Sequence, residues 1–470
     1  MALSSGIVWE VRQGGSDSSG GGYKTGASGT DFTQQDAAQY ALTGLTTAAA
    51  NAIILTASAA ADMVGNVIQI TSGTNFTVGF YEITSVSVGV SITVDRNCTT
   101  AAGTGGVGNI GGALASPGMA GGAKVAGNDI YVKSGTYTLS TASSNVSGGV
   151  VDDATGGENA ANATWWIGYN TTRTKLNTDS SLPLIQVPGS GVTSCTIFKT
   201  SSDLTRFRNL KVDGASKSSI RGFDIGTNFT SNSAIACTAS NCTNSGFYVA
   251  SGLGSFIVCL ASGCSSTGAG FQLEGGFGTC LNCVAADGSV HGFTGNDRTR
   301  FIGCIADSNS GASTDGFHQD NGNSPCVWIN CVSYNSGRDG FRSGSSFQGS
   351  VFAMNCTAYG NAGYGFNGNG STLDVALLWN CAGGSNTSGN TESGLPNLLN
   401  FIDLSTNDPF VNAAGGNFAL NTSTGGNLCR AAGFPGVFPG GTTTGYLDIG
   451  AAQHQDAGGL ALPVSGRIVG

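Results

Sequence analysis

Histidine is scarce in this sequence, with three in all, and two of them flank a recurring Gly-Phe pair: His291 stands two residues before Phe293, and His318 directly follows Phe317. Acidic and basic groups occupy equivalent places around the same pairs. Asp315 and Asp339 precede Phe317 and Phe341 by two residues, Glu274 and Asp320 follow Phe271 and Phe317 by three, and Arg342 follows Phe341. An imidazole or carboxylate base beside a guanidinium is the equipment for taking a proton next to a uronate carboxylate, as a lyase of acidic polysaccharides does, with His318 or Asp320 as base and Arg342 neutralising the acid. Two carboxylates such as Glu274 and Asp320 across a sugar ring are the equipment of a glycosidase. Tyr248 and Tyr364 supply rings on which a sugar can stack, so His291, Asp315, Asp339, Tyr248 and Tyr364 are glycan-contact candidates. The plainer alternatives are a solvated strand surface bonded from rung to rung, or glycan contact without chemistry, and the reading leans towards a protein that is not an enzyme. Arg298-Thr299-Arg300 near His291 only partly echoes a polygalacturonase-like set, whose paired aspartates, Gly-His-Gly and Arg-x-Lys are missing.

What must position these groups is a repeat. Gly-Phe recurs at Phe223, Phe247, Phe271, Phe293, Phe317, Phe341 and Phe366, in steps of 24, 24, 22, 24, 24 and 25 residues. A second column runs in phase with it: Cys242, Cys264, Cys283, Cys304, Cys331, Cys356 and Cys381, each preceded by Asn or Gly. Asn and Gly are the residues that most readily adopt the left-handed αL conformation, so the column marks a corner. Short alternations such as Leu281-Cys283-Ala285, Ile302-Cys304-Ala306 and Met354-Cys356-Ala358 read as strands with the cysteine pointing inward. A leucine-rich scaffold and 3.6-periodic segments are both absent, which excludes leucine-rich and helical repeats.

These features predict an all-β fold, a right-handed single-stranded parallel β-helix whose coils stack at about 4.8 Å. The residue one place after each Phe then points outward and forms a ladder with its equivalents. Four regions are expected: a β-rich head over residues 1–107, a capping segment over 108–127, the β-helix over 128–400, and a C-terminal cap and tail over 401–470. Within the head, a short helix is predicted around Gln34–Leu42, then strands at Val67–Ile70, Phe80–Ile83 and Ser91–Val94. The Ala/Gly-rich stretch Ile110–Val125 suits a helix over the open end of the solenoid.

Composition agrees. Glycine contributes 77 of 470 residues without a triplet period, which excludes collagen, and 40% apolar content with only 10% charged residues is unlike a disordered chain. A net charge of −9 and a pI near 4.7 argue against nucleic acid as a partner. No secretory signal is visible in Met1–Gly14 and no 18-residue apolar run could enter a membrane, so the expectation is a soluble product of the cytoplasm. The 14 cysteines are too sparse for a disulfide framework, and stacked Cβ positions at about 4.8 Å are too far apart for unstrained bridges. Second cysteines such as Cys237, Cys259 and Cys326 read as core thiols, and Cys280-x-x-Cys283 is half a zinc site without its other half. Neither a metal nor another cofactor is expected, since no P-loop and no GxSxG elbow is present.

The segment Asn128-Asp-Ile-Tyr-Val-Lys-Ser-Gly-Thr-Tyr137 resembles the opening coil of the pectate-lyase-like β-helix superfamily, with its "GD-x-I-x-V-x-x-G-x-Y" pattern. Asp408-Pro-Phe-Val-Asn412 and Asp448-Ile-Gly-Ala451 look like the closing segments of bacterial and phage-encoded members, and Trp9-Glu-Val-Arg-Gln-Gly-Gly-Ser-Asp17 looks like the start of phage-encoded ones. The resemblance implies a virion structural protein, such as a head fibre, decoration or tail-spike-like protein, assembled in the host cytoplasm. It also implies a homo-oligomer, a trimer by analogy with phage spikes, with attachment to other virion proteins through the head and a surface polysaccharide as partner. The rival readings are a polysaccharide depolymerase, lyase or glycosidase, and a bacterial adhesin at the cell surface.

Overall fold

The computed structural model describes residues 3–139, 149–153, 156–157, 159, 162–174, 181–188, 192, 194–226, 229–296, 298–320, 326–344, 351–368, 376–393, 395, 397–430, 432–433 and 448–451. Expectations for the tail beyond residue 451 lie outside them. The chain divides into two compact units, one comprising residues 1–192 with 196–211, the other 193–195 with 212–470.

In the first unit the head is a closed antiparallel barrel built from Tyr40–Thr47, Ile53–Leu55, Ser91–Val94, Gly79–Ser87, Val67–Phe76 and Thr99–Ile110, in that spatial order. Alternating apolar residues fill it, with Leu45, Ile54, Ile68, Ile70, Ile83, Ile92 and Ile110 fully buried. The predicted strands are present; the predicted helix at Gln34–Leu42 is not. Residues 34–39 form turns and Tyr40 opens a strand instead, because Leu42 and Leu45 are buried inside the barrel, and tertiary burial overrides a weak helical pattern. A helix does form at Pro117–Ala123, capped by the Ser116 side chain accepting from the Met119 N–H.

Residues at the N-terminus do not belong to the barrel. Ile7–Val11 pairs in parallel with Asp129–Lys133, which pairs with Thr164–Tyr169. Glu10, on this added strand, is fully buried. Its carboxylate accepts from Arg12 Nε at 2.7 Å, from Arg173 Nε and Nη2 at 2.9 and 2.7 Å, and from the Tyr169 hydroxyl. Arg173 also reaches Asp31 Oδ2 at 3.1 Å and Thr33 Oγ1 at 2.7 Å. One buried carboxylate thus joins the N-terminal strand, the segment before the barrel and a coil of the solenoid.

The second unit is a parallel β-helix with three faces. Eight strands, from Phe229–Ile235 to Asn397–Leu399, make its first face. The second face includes Val284–Ala286, Ile305–Asp307, Val332–Tyr334 and Thr357–Tyr359, and the third includes Phe247–Val249, Ala269–Leu273, His291–Gly295, Phe317–Gln319 and Phe341–Arg342. On the third face the repeated phenylalanines pair in register. Their rings stack in one buried file, for example 4.7 Å apart at 4° for Phe247 on Phe271 and 4.7 Å at 5° for Phe293 on Phe317. Phe256, Phe301 and Trp328 pack against this file from the first face, Phe256 and Phe301 making edge contacts with Phe247 and Phe293.

The corner behaves as its residue types require. Asn241, Asn282, Asn330, Asn355 and Asn380 have φ between 51° and 53°, and Gly263 and Gly303 have φ of 61° and 65°. At Gly303 a Cβ would lie 2.2 Å from Asn282 Oδ1 of the neighbouring coil, so glycine fits where asparagine could not repeat. The next residue is the inward cysteine. All 14 cysteines are free and buried. The corner thiols also donate to a carbonyl of the preceding coil, as Cys283 to Phe256 O at 3.3 Å and Cys331 to Phe301 O at 3.3 Å. Burial pushes the Cys326 thiol up to about 12, which keeps it protonated and inert. Unbroken alternation through the corner would bury Leu281, Ile302 and Met354 beside the cysteines. The αL residue breaks the period, and these three side chains stand outside instead.

Two substitutions test this packing. Phe293→Ala removes the middle of the ring file and is expected to cost about 3–5 kcal/mol, read as a lower urea midpoint. Arg173→Met leaves Glu10 buried with less compensation and is expected to cost about 3 kcal/mol, whereas replacing an exposed residue such as Thr84 should leave the midpoint unchanged.

Candidate functional site

The outward ladder predicted beside the ring file exists. Asp224, Tyr248, Gln272, Thr294, His318, Arg342 and Asn367 follow one another in register, one per coil. A second column lies on the other side of the phenylalanines and holds His291, Asp315, Asp339 and Tyr364. Thr294 divides the surface into two networks.

The first network centres on Glu274. Its carboxylate accepts from the Tyr248 hydroxyl and from Gln272 Nε2, the latter at 2.6 Å. The Arg221 guanidinium lies 3.6 Å from the Tyr248 ring centre, and Tyr248 is only 6% exposed. The tyrosine is therefore a spacer beneath an arginine, not an open platform for a sugar. Burial and the Glu274 carboxylate both raise its phenol well above the usual range.

The second network centres on Asp315, which is fully buried. Arg338 Nε and Nη2 donate to its two oxygens at 2.7 and 2.5 Å, the Asp339 N–H donates at 3.1 Å, and His318 Nδ1 lies 2.9 Å from Oδ2. Burial alone would raise this carboxyl; Arg338 and His318 outweigh it and hold it at about 2. His291 stacks on His318 at 4.5 Å and 8°, and its Nδ1 accepts from the Asp315 N–H at 2.9 Å. Burial, then the neighbouring His318, lowers His291 to about 4, so it is a neutral acceptor at pH 7. Asp339 in turn accepts from Arg342 Nη1, Asn367 Nδ2 and the Tyr364 N–H, each at 2.7 Å. Tyr364 thus joins the network through its backbone. Asp320 anchors its coil by donating from its N–H to Gly295 O at 3.0 Å.

Arg338, Arg221, Gln272 and Asn367 complete these networks; sequence reasoning placed Gln272 on the ladder and passed over the other three. Asn367 was legible, since it occupies the ladder position itself. Arg338 lies in a loop before the strand, where side-chain direction follows no period.

Chemically, the arrangement offers one oriented imidazole. The His318 Nδ1 lies 2.9 Å from Asp315 Oδ2 without making a hydrogen bond there. A general acid is harder to find. Asp315 at about 2 is a poor proton donor near neutrality. Glu274 and Asp320 sit two coils apart, about 9.6 Å along the stack, just beyond the roughly 6.5–9.5 Å used by inverting glycosidases. His291, Asp315 and His318 each present a ligand atom within 4.8 Å of one another, but the Asp315 carboxylate is already saturated by the Arg338 cation.

No known family profile matches the sequence, and no curated protein matches it. Among solved structures, pectate lyase Pel9A is similar at 16% identity over 72% of this chain and 91% of its own, with a TM-score of 0.48. A rhamnogalacturonan lyase is 17% identical over 58% and 70% of the two chains, TM-score 0.41. The ORF18 protein of Geobacillus virus E2 is 11% identical over 60% and 55%, TM-score 0.39. The stacked parallel sheets decide the classification. The fold is a parallel β-helix. This β-helix places its ionic networks along the outer side of the third face, and among its described residues no helix is long and apolar enough to cross a membrane.

The two shifted groups set an acid-side stability profile. His291, lowered to about 4, binds its proton in the unfolded chain first, so stability falls as pH drops from about 6.5 to 4 and flattens below. Asp315, lowered to about 2, contributes stability that is present above about 4 and is lost as pH falls towards 2. His291→Gln, which can still accept from the Asp315 N–H, is expected to remove on the order of 2–3 kcal/mol of the loss in the upper window and none in the lower. Melting curves across both windows check it.

Proposed function

We propose that this chain is a structural component of a phage-type virion, a head fibre, decoration or tail-spike-like protein whose β-helix presents a rigid polar column for contact with host glycan. The observation that carries this reading is the internal compensation of the column. Asp315, Asp339 and Glu274 are each held by an arginine, an amide or a phenol of the same surface. Fixed donors and acceptors at one per coil suit binding to a repeating polymer, and nothing among them is poised as an acid.

Attachment through the head fits the same reading. The barrel leaves Ile53, Leu55, Val88 and Val90 between 42% and 67% exposed, around the paired strands Ile53–Leu55 and Ser91–Val94. Single exposed apolar residues are ordinary, but a group of them on a small barrel suits a protein contact. The sequence likeness of Trp9–Asp17 and Asp448–Ala451 to β-helices encoded by phages and bacteria is compatible with this reading.

The oriented His318 favours a second reading, a polysaccharide depolymerase with His318 as base and Arg342 facing a uronate. Incubation with a panel of acidic and neutral polysaccharides separates the two. Retention of an anionic polysaccharide without new reducing ends or unsaturated products is expected, equally for wild type and His318→Ala. Arg342→Ala is expected to weaken retention about tenfold, as loss of one charge-assisted contact implies. Product formation that disappears in His318→Ala would instead establish the depolymerase, and absence of the protein from purified particles would remove the virion assignment.

A further inference from the structure

The outer side of the first face carries an apolar row. Leu281, Ile302, Ile329, Met354, Trp379 and Leu399 pair one above the other, one per coil. The first five are each the outward neighbour of a buried core residue, Cys280, Phe301, Trp328, Ala353 and Leu378. Trp379 and Leu399 are 37% and 49% exposed, and the other four are half-buried. A second apolar column runs alongside over three rungs, where Val327, Phe352 and Leu377 pair in register two residues earlier on each strand. Above them the same column carries Arg300.

The second face provides the contrast. Its outer apolar residues Ile305, Val332 and Tyr359 are 3–9% exposed, because Phe410, Ala413 and Phe418 of the C-terminal hairpin pack over them. Further along, Leu404 and Ala382 are covered by Leu420, Cys429 and Ile449. Among the described residues, the chain covers one outer apolar row with its own C-terminal segment and leaves the other bare. A repeat that kept leucine, isoleucine, methionine and tryptophan on a solvent-facing column without a partner would gain nothing for folding.

We infer that the apolar row of the first face is an interface with a second copy of this chain. Two features identify the occupant. The row offers side chains at the coil spacing of about 4.8 Å, and a partner that meets every rung must carry the same spacing over the same length, which a second copy does. The row is also uncharged from Ile302 to Leu399, while the chain carries a net charge of −9; like-charged molecules can approach closely only where neither presents charge. Six rungs of the row and three of the second column cover about 300 Å², so a pair would bury on the order of 600 Å², the scale of weak, reversible contacts and well below obligate dimers. The association is therefore concentration-dependent.

Sedimentation velocity of the full chain tests this, from low micromolar to several hundred micromolar, with reducing agent present. Wild type is expected to shift from the 46.9 kDa monomer towards a multiple of it as concentration rises. Met354→Glu and Leu281→Glu are each expected to weaken self-association at least about tenfold, because each buries an unpaired charge in the contact, while Thr422→Glu on an exposed turn leaves it unchanged. Circular dichroism and the urea midpoint identify a variant that has failed to fold, and the other then stands in for it. A wild-type monomer at the highest concentration overturns the inference, and so does self-association that persists in both folded row variants.

Discussion

In-register parallel pairing is the constraint on which everything else in the second unit depends. Main-chain hydrogen bonds run from coil to coil, so whatever occupies a position is repeated, or answered, about 4.8 Å away. For apolar groups the rule is favourable: phenylalanine rings stack face to face within the solenoid, and the corner thiols of Cys283, Cys304, Cys331, Cys356 and Cys381 meet a carbonyl of the coil before them. For a left-handed corner it favours asparagine, with glycine where the neighbouring asparagine side chain already fills the space.

For charged groups the same rule is a liability. Asp315 and Asp339 occupy equivalent places on successive coils, and two buried carboxylates at that distance repel strongly. Arg338 and Arg342 resolve the conflict by placing guanidinium groups against them. This explains why Arg338 and Arg342 stand beside the two aspartates, and why Asp315 is held so far below the range of a proton donor. The networks that looked like catalytic equipment are in large part the cost of stacking like on like. What remains chemically distinctive is the His318 imidazole, oriented by a carboxylate that is itself neutralised.

The three outer faces are treated differently. The second is covered by the C-terminal hairpin, the third carries the ionic ladder, and the first carries an apolar row. A solenoid makes such division simple, because each face is one column set and can be specialised without disturbing the core. In the first unit the organising element is a single buried carboxylate, Glu10, held by Arg12 beside it and by Tyr169 and Arg173 from a distant coil, with Arg173 reaching on to Asp31.

Much of this was legible in the residues. The spacing of Gly-Phe and of the Asn/Gly-Cys pair determined a parallel β-helix, the inward file of rings, the left-handed corner and the outward ladder through Gln272, His318 and Arg342, because a periodic fold writes its geometry into its period. Three kinds of feature lay outside that reach. Arg338 acts from a loop, where direction obeys no period. Leu281, Ile302 and Met354 stand outside although alternation groups them with the cysteines, because one αL residue reverses the count. And Ile7–Val11, the Phe410–Leu420 hairpin and the turns at residues 34–39 are governed by partners more than a hundred, or several dozen, residues away. Local chemistry sets what a coil can be; which face is covered, which is left bare and which charges meet is decided only when distant segments are brought together.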